Sequence, residues 1–223
     1  MKINSLKTSL ILAVAFVAAI HSTNAQIITN GSFEAPDVLS FVTINAGQLT
    51  IAPWVVNLGT VDVVDASFGA GPAFQGQQYL DLDGVSPGRV TQSFATTPGL
   101  SYTLNFAYAN NYINQPSASA TVRLFDLGGV RLTQTITHST SLSGNLNWTV
   151  FGGSFTAVQS TTNLEFSSLS SGPLPGSGGG IFLDAIQIVP EPASAVLLLL
   201  GAAGCLCRRP LRTNDRNALG IAG

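Results

Sequence analysis

"SYTLNFAY" runs from Ser101 to Tyr108 and alternates without a break. Tyr102, Leu104, Phe106 and Tyr108 fall on one face; Ser101, Thr103, Asn105 and Ala107 fall on the other. A period of two with aromatic enrichment marks a half-buried strand, because successive side chains of an extended chain point to opposite sides. The pattern spreads outward from there. "TVRLF" (Thr121–Phe125) and "VRLTQTIT" (Val130–Thr137) flank Asp126-Leu127-Gly128-Gly129, whose glycines reach positive φ and so suit a hairpin turn. "NWTVFGGSF", "TNLEFSS" and "IFLDAIQI" follow, and "VDVVD", "QYLDL" and "RVTQSFA" precede. No window between the two ends of the chain carries a helical apolar period. About nine to eleven short strands separated by Gly, Pro, Asn and Ser predict an all-β antiparallel sandwich or jelly roll. "SSGPLPGSGGG" (Ser170–Gly180) reads as a loop inside one domain, since a strand pattern resumes after it.

The two ends read differently. Met1–Ala25 carries Lys2 and Lys7, the apolar stretch Leu10–Ile20 and the small-residue site Thr23-Asn24-Ala25, the order of a cleaved signal peptide. The β-sandwich domain is then 26–189. Beyond it, "VPEPASAVLLLLGAAGCLCRRP" (Val189–Pro210) joins a Pro-Glu-Pro, an apolar run at 193–207 and the pair Arg208 and Arg209. That run is shorter than the roughly 20 residues of an ordinary membrane span. Residues 211–223 read as a short cytoplasmic tail.

Charge narrows the function. Between 26 and 189 stand three arginines and nine carboxylates, a net charge of −6, and no lysine. Nucleic acid is excluded as a partner, because neutralising phosphates needs a basic patch. Both cysteines, Cys205 and Cys207, lie in the apolar run, so the domain has no disulfide or thiol chemistry. Its 164 residues suffice for a core of its own.

"NGSFEAP" (Asn30–Pro36), "QYLDLDGVSPGRVTQSFATTPGLSYTLNFAYANN" (Gln78–Asn111) and "IFLDAIQIVPEP" (Ile181–Pro192) together resemble the choice-of-anchor C family of bacterial surface proteins, related to domain-of-unknown-function 642. The resemblance implies a galactose-binding-domain-like sandwich. The final segment resembles a PEP-CTERM sorting signal: Pro190, Glu191 and Pro192 as the cleavage motif, the apolar run as a C-terminal transmembrane sorting helix, and Arg208 and Arg209 holding the cytoplasmic side. An exosortase-type membrane protease or transpeptidase is the partner this implies, with transient membrane association through 193–207. The tail 211–223 departs from that pattern.

Several residues suggest chemistry. Asp184 alternates with Phe182, Ile186 and Ile188, which places an acid on an apolar face. A buried carboxylate is costly unless it is paired or binds a metal. The resemblance implies a structural Ca2+ near the first and last strands, with Glu34 and Asp184 as ligands; hydrogen bonds from backbone amides to both, or a bulge that turns Asp184 to solvent, are the other readings. Asp81 and Asp83 share a strand face, as on the wet side of an edge strand. Paired carboxylates also serve glycosidases, but catalysis is not expected here. His138 stands in a polar loop pattern without a nucleophile-elbow motif. Trp54 and Trp148 suit the core, while Tyr112 in "ANNYINQPS" is the exposed aromatic expected to stack on a ligand. The main functional expectation is an exported, non-catalytic protein of the cell surface or extracellular matrix, sorted through its C-terminal signal and associated with extracellular polysaccharide. The alternative is a carbohydrate-binding module for a defined glycan; a hydrolase is the weakest reading.

Overall fold

The alternation in the sequence becomes eleven strands in two antiparallel sheets. The computed structural model describes residues 27–113, 116–169 and 179–191. The strands are β1 (Phe41–Asn45), β2 (Val55–Leu58), β3 (Thr60–Asp65), β4 (Gln78–Asp81), β5 (Arg89–Ala95), β6 (Ser101–Asn110), β7 (Ala118–Asp126), β8 (Gly129–His138), β9 (Thr149–Thr156), β10 (Thr161–Ser168) and β11 (Ile181–Pro190). A six-stranded sheet runs β1-β3-β4-β11-β6-β9, and a five-stranded sheet runs β2-β5-β10-β7-β8.

Leu104 and Phe106 of β6, with Val61 and Val63 of β3, meet Val122, Leu124, Leu164 and Phe166 from the facing sheet. Burying these apolar faces against each other is what holds two sheets together. Trp54 is fully buried at one end of this core, and its indole Nε1 donates to the Asn30 carbonyl. The β7–β8 hairpin turns at Leu127-Gly128, with Gly129 at φ +116°. Asp126 accepts from the Gly128 amide and pairs with Arg131.

Two placements differ from the sequence reading. β4 lies between β3 and β11, so Asp81 is no edge-strand residue, and Asp81 and Asp83 are both buried. In β11 the register shifts between Asp184 and Gln187, and Ala185 sits at φ +50°. This bulge reverses the alternation. Ile186 and Ile188 face the core, while Asp184 shares the outer face with Phe182.

The fold is all-β among the described residues, and the expected C-terminal transmembrane helix finds no counterpart there. All regular elements among the described residues are strands, and none of those residues forms a helix long and apolar enough to cross a membrane. The signal peptide at 1–25, Pro192, the run at 193–207, Arg208, Arg209 and the tail lie outside the described residues.

Candidate functional site

The outer face of the six-stranded sheet holds the unusual chemistry. Register sets Asp62 of β3 opposite Asp81 of β4, and Asp83 follows two residues on. Asp81 Oδ1 accepts from the amides of Asp83 (3.0 Å) and Gly180 (3.2 Å), and its Oδ2 accepts from Asn111 Nδ2 (3.0 Å). Burial pushes its carboxyl up to about 7, and the neighbouring Asp62 and Asp83 charges add to the rise. Asp83 is pushed up to about 6, first by burial and then by Asp62. Asp62 is also raised by burial, against a hydrogen bond from Thr43. Two oxygens here, Asp62 Oδ1 and Asp83 Oδ2, are buried with no hydrogen-bond partner among the described residues. No arginine among the described residues reaches them. Arg89, Arg123 and Arg131 all stand on strands of the five-stranded sheet, where Arg123 pairs with Glu165 and Arg131 with Asp126.

Asp62 and Asp81 line a cleft of about 190 Å³ together with Asn111, Ile113, Tyr79, Phe41 and Phe68. Phe41 and Phe68 stack at 5.4 Å with an interplanar angle of 24°. They stay 49% and 58% exposed, so the stack forms a rim rather than a core contact. Tyr79 is fully buried and accepts from the Ala70 amide at 3.0 Å. Burial pushes its phenol up to about 12. The loop 66–77 crosses close above this ring: a Cβ on Gly69 would lie 2.1 Å from the Tyr79 hydroxyl, so only glycine fits.

Glu34 and Asp184 brace the far half of the same loop. Asp184 Oδ2 accepts from the amides of Phe74 and Gln75, both at 2.9 Å, and Oδ1 accepts from Ala185 at 2.6 Å. Glu34 Oε1 accepts from Gln77 and Gln78, both at 2.9 Å. Asp184 is fully buried, and its carboxyl is pushed up to about 7 by burial, with the Glu34 charge adding. Amide hydrogen bonds are therefore the observed role of both residues. Two mutually repelling hard-oxygen groups without a cation also suit Ca2+ chemically. Among the described residues, however, no group of three or more His, Cys, Asp or Glu is placed to hold a metal.

Tyr112 is half-buried. It packs on a small apolar cluster under the loop, with its hydroxyl 3.5 Å from the Ala70 carbonyl; its neighbours Asn111 and Ile113 line the cleft instead. Trp148 lies on this outer cluster rather than in the main core, and its Nε1 donates to the Pro72 carbonyl. His138 ends β8 and is buried, with Nδ1 2.7 Å from Asn110 Oδ1 and Nε2 3.0 Å from the Asn147 carbonyl. Asp62, Phe41 and Phe68 went unread in the sequence. Only Asp62 left a signal there, alternating with Val61 and Val63.

An all-β domain of two antiparallel sheets is the class this geometry defines. Within that class, a family model described as "Protein of unknown function (DUF642)" matches residues 26–188, and the chain belongs to this family. A stretch of halomucin from Haloquadratum walsbyi (strain DSM 16790 / HBSQ001) is 29% identical over 187 residues. That match covers 81% of this chain and spans only 2% of the halomucin length. Among solved structures, TmCBM61 in complex with beta-1,4-galactotriose is 16% identical, covering 74% of this chain and 99% of its own, with a TM-score of 0.49. A CBM4 structure is 15% identical over 74% of this chain and 99% of its own, with a TM-score of 0.41. Xyl-CBM35 in complex with a glucuronic acid containing disaccharide is 17% identical over 68% of this chain and 94% of its own, with a TM-score of 0.43.

These findings correct the anchor-based expectation. The matched family is DUF642 itself rather than the choice-of-anchor C group with a PEP-CTERM signal, and the match ends at residue 188. The sequence reading left Pro190-Glu191 as an extended handle for a protease. Instead Pro190 pairs with Tyr102 in β11, and the Glu191 amide donates to the Ser101 carbonyl. Glu191 Oε1 further accepts from Thr103 Oγ1 (2.9 Å) and Ser154 Oγ (2.7 Å). Pro190 thus belongs to β11 and Glu191, exposed just beyond it, is tied to β6, so neither is the free tether expected for cleavage. The exosortase partner, the membrane-anchored localisation at the cell envelope and the sorted matrix protein as main function fall with it.

Proposed function

We propose that the domain is a non-catalytic carbohydrate-binding module that takes a neutral glycan in the Asp62–Asp81–Asn111 cleft. One observation carries the reading: Asp62, with a buried Oδ1 that has no donor among the described residues, lines a cleft rimmed by an exposed aromatic stack, on a sheet with no basic side chain among those residues. A buried acceptor left unsatisfied costs about 1–3 kcal/mol, more when charged, and an incoming hydroxyl donor recovers it. The C–H face of a sugar ring packs on Phe41 and Phe68, and its hydroxyls donate to the carboxylates. The cleft is smaller than a drug-sized pocket of roughly 300–1,000 Å³ and suits a single sugar ring. No cationic side chain lines the cleft to pair with a uronate, so the ligand is neutral.

Affinity electrophoresis of the purified protein against neutral polysaccharides and a polyuronate tests this. Retardation by a neutral polymer but not by the polyuronate is expected. Phe41→Ala and Phe68→Ala should each weaken it roughly tenfold, about 1.4 kcal/mol. Undiminished binding in both variants would refute the cleft.

Glu34 and Asp184 are proposed to accept Ca2+ at the loop they brace. The support is their hard-oxygen chemistry and mutual repulsion. A bound Ca2+ would supply the positive charge missing between them. Calcium should then raise the melting temperature over that in EDTA, and Glu34→Gln should abolish the rise; identical melting with and without calcium would exclude it.

A further inference from the structure

The loop 66–77 has a second flank. Beyond it, over β11, β6 and β9, lies a groove of about 400 Å³. Its floor follows from the strand register: Gln187, Asn105 and Gly152 stand side by side, with Ala107 beside Val150 in a parallel row. Leu104, Phe106, Ile186 and Ile188 point into the core, so Asn105 and Gln187 point out. Both are half-buried, and neither amide has a hydrogen-bond partner among the described residues. Gly152 keeps the floor low, since a Cβ there would lie 3.2 Å from Asn105 Oδ1.

Phe74 forms one wall. It is 48% exposed and held edge-on to Trp148 at 6.3 Å. Gln75 stands next to it, its Oε1 accepting from Ser32 Oγ. Thr103, Ser154 and Glu191 continue the same outer face along the strands.

We propose that this groove is a second saccharide site, taking a segment of a neutral polysaccharide chain laid along β6 and β9. The chemistry selects that ligand. A primary amide offers both donors and acceptors, as a sugar hydroxyl does, so unpaired Asn and Gln side chains match a row of hydroxyls in either direction. Phe74, Ala107 and Val150 supply apolar surface for the ring faces. No charged residue lines the groove, which gives an anionic or cationic ligand no partner. The inference extends the carbohydrate reading but stands on other residues. With both sites filled, one sheet face grips glycan on either side of the 66–77 loop.

The test uses the whole protein with galactan, xylan, mixed-linkage β-glucan and dextran as probes. Wild type is compared with Asn105→Ala/Gln187→Ala, with Gly152→Val, which fills the floor, and with Phe41→Ala in the other cleft. Thermal melting reports on folding; the double variant changes only outward side chains and should melt as wild type does. Affinity for at least one polymer should fall tenfold or more in the double variant, and the side-chain amide resonances of Asn105 and Gln187 should shift on adding its oligosaccharide. Gly152→Val should reproduce the loss. Binding abolished by Phe41→Ala but untouched by the groove variants, with no amide shift, would overturn the second site and leave the first. Binding lost only in the groove variants would support the groove and refute the cleft. No binding to any probe would overturn both.

Discussion

Asp184 and Asp83 are both buried carboxylates on the outer side of the same sheet, yet they are treated oppositely. Asp184 receives three amide hydrogen bonds and fixes the loop above it. Asp83 keeps an oxygen with no partner among the described residues, next to Asp62, which does the same. The sequence context is similar, an acid alternating with apolar residues, so the residue type does not separate brace from site. The count of donors does. A carboxylate fed by loop amides fixes that loop, and one left short, as Asp62 is in the cleft, can take a hydroxyl donor from a ligand.

The largest effect expected from this contrast is at Asp184. Asp184→Ala strands the amides of Phe74, Gln75 and Ala185, and should cost about 3–5 kcal/mol. At about 2–4 °C per kcal/mol for a domain of this size, the melting temperature should drop by roughly 10 °C. A loss near zero would remove the distinction between the two residues.

Next comes pH. Asp81, Asp83 and Asp184 hold protons more tightly folded than unfolded, with folded values near 7, 6 and 7. Between the unfolded carboxylate value of about 4 and about 7, the folded state therefore binds more protons, and stability falls as pH rises. Melting temperature should be higher near pH 5 than at pH 8 by several degrees, and level above pH 8. Asp65 and Asp126 are shifted down instead, so they destabilise the domain only as pH falls below about 4. A melting temperature that rises from pH 5 to pH 8 would contradict this assignment.

The smallest stability change should come from Asp83→Asn, which removes a buried charge and orphans nothing. A change within about 1 kcal/mol, stabilising at pH 8, is expected in denaturant titration. The same variant should flatten part of the pH slope. A large destabilisation would make Asp83 a second brace.

Much of the sandwich was legible because alternation is a one-dimensional record of two-sided burial. β6 shows it best: every residue of "SYTLNFAY" faces the side that its parity assigns. Parity failed where the chain leaves the regular pleat. The bulge at Ala185 turned Asp184 away from the isoleucines it alternates with; a bulge is one sequence reading of that acid, but no residue type in "LDAIQ" fixes its place, and Asp184 ends buried rather than in solvent. Phe41 and Phe68 come together from β1 and the loop 66–77, a meeting set by tertiary folding alone. Amides from 74–78 reach Glu34 and Asp184 across long sequence separations, which is why the sequence alone leaves a backbone solution to their charge as one reading among three. Pro-Glu-Pro misled because prolines signal extended chain equally well in a free tether and at the end of a strand.

At one end of the sandwich, the Ile27 amide donates to the Ile188 carbonyl at 3.2 Å. Entry and exit of the fold are thus neighbours across a single hydrogen bond. A unit closed in this way can be strung into a longer polypeptide like a bead, with the thread arriving and leaving on one side.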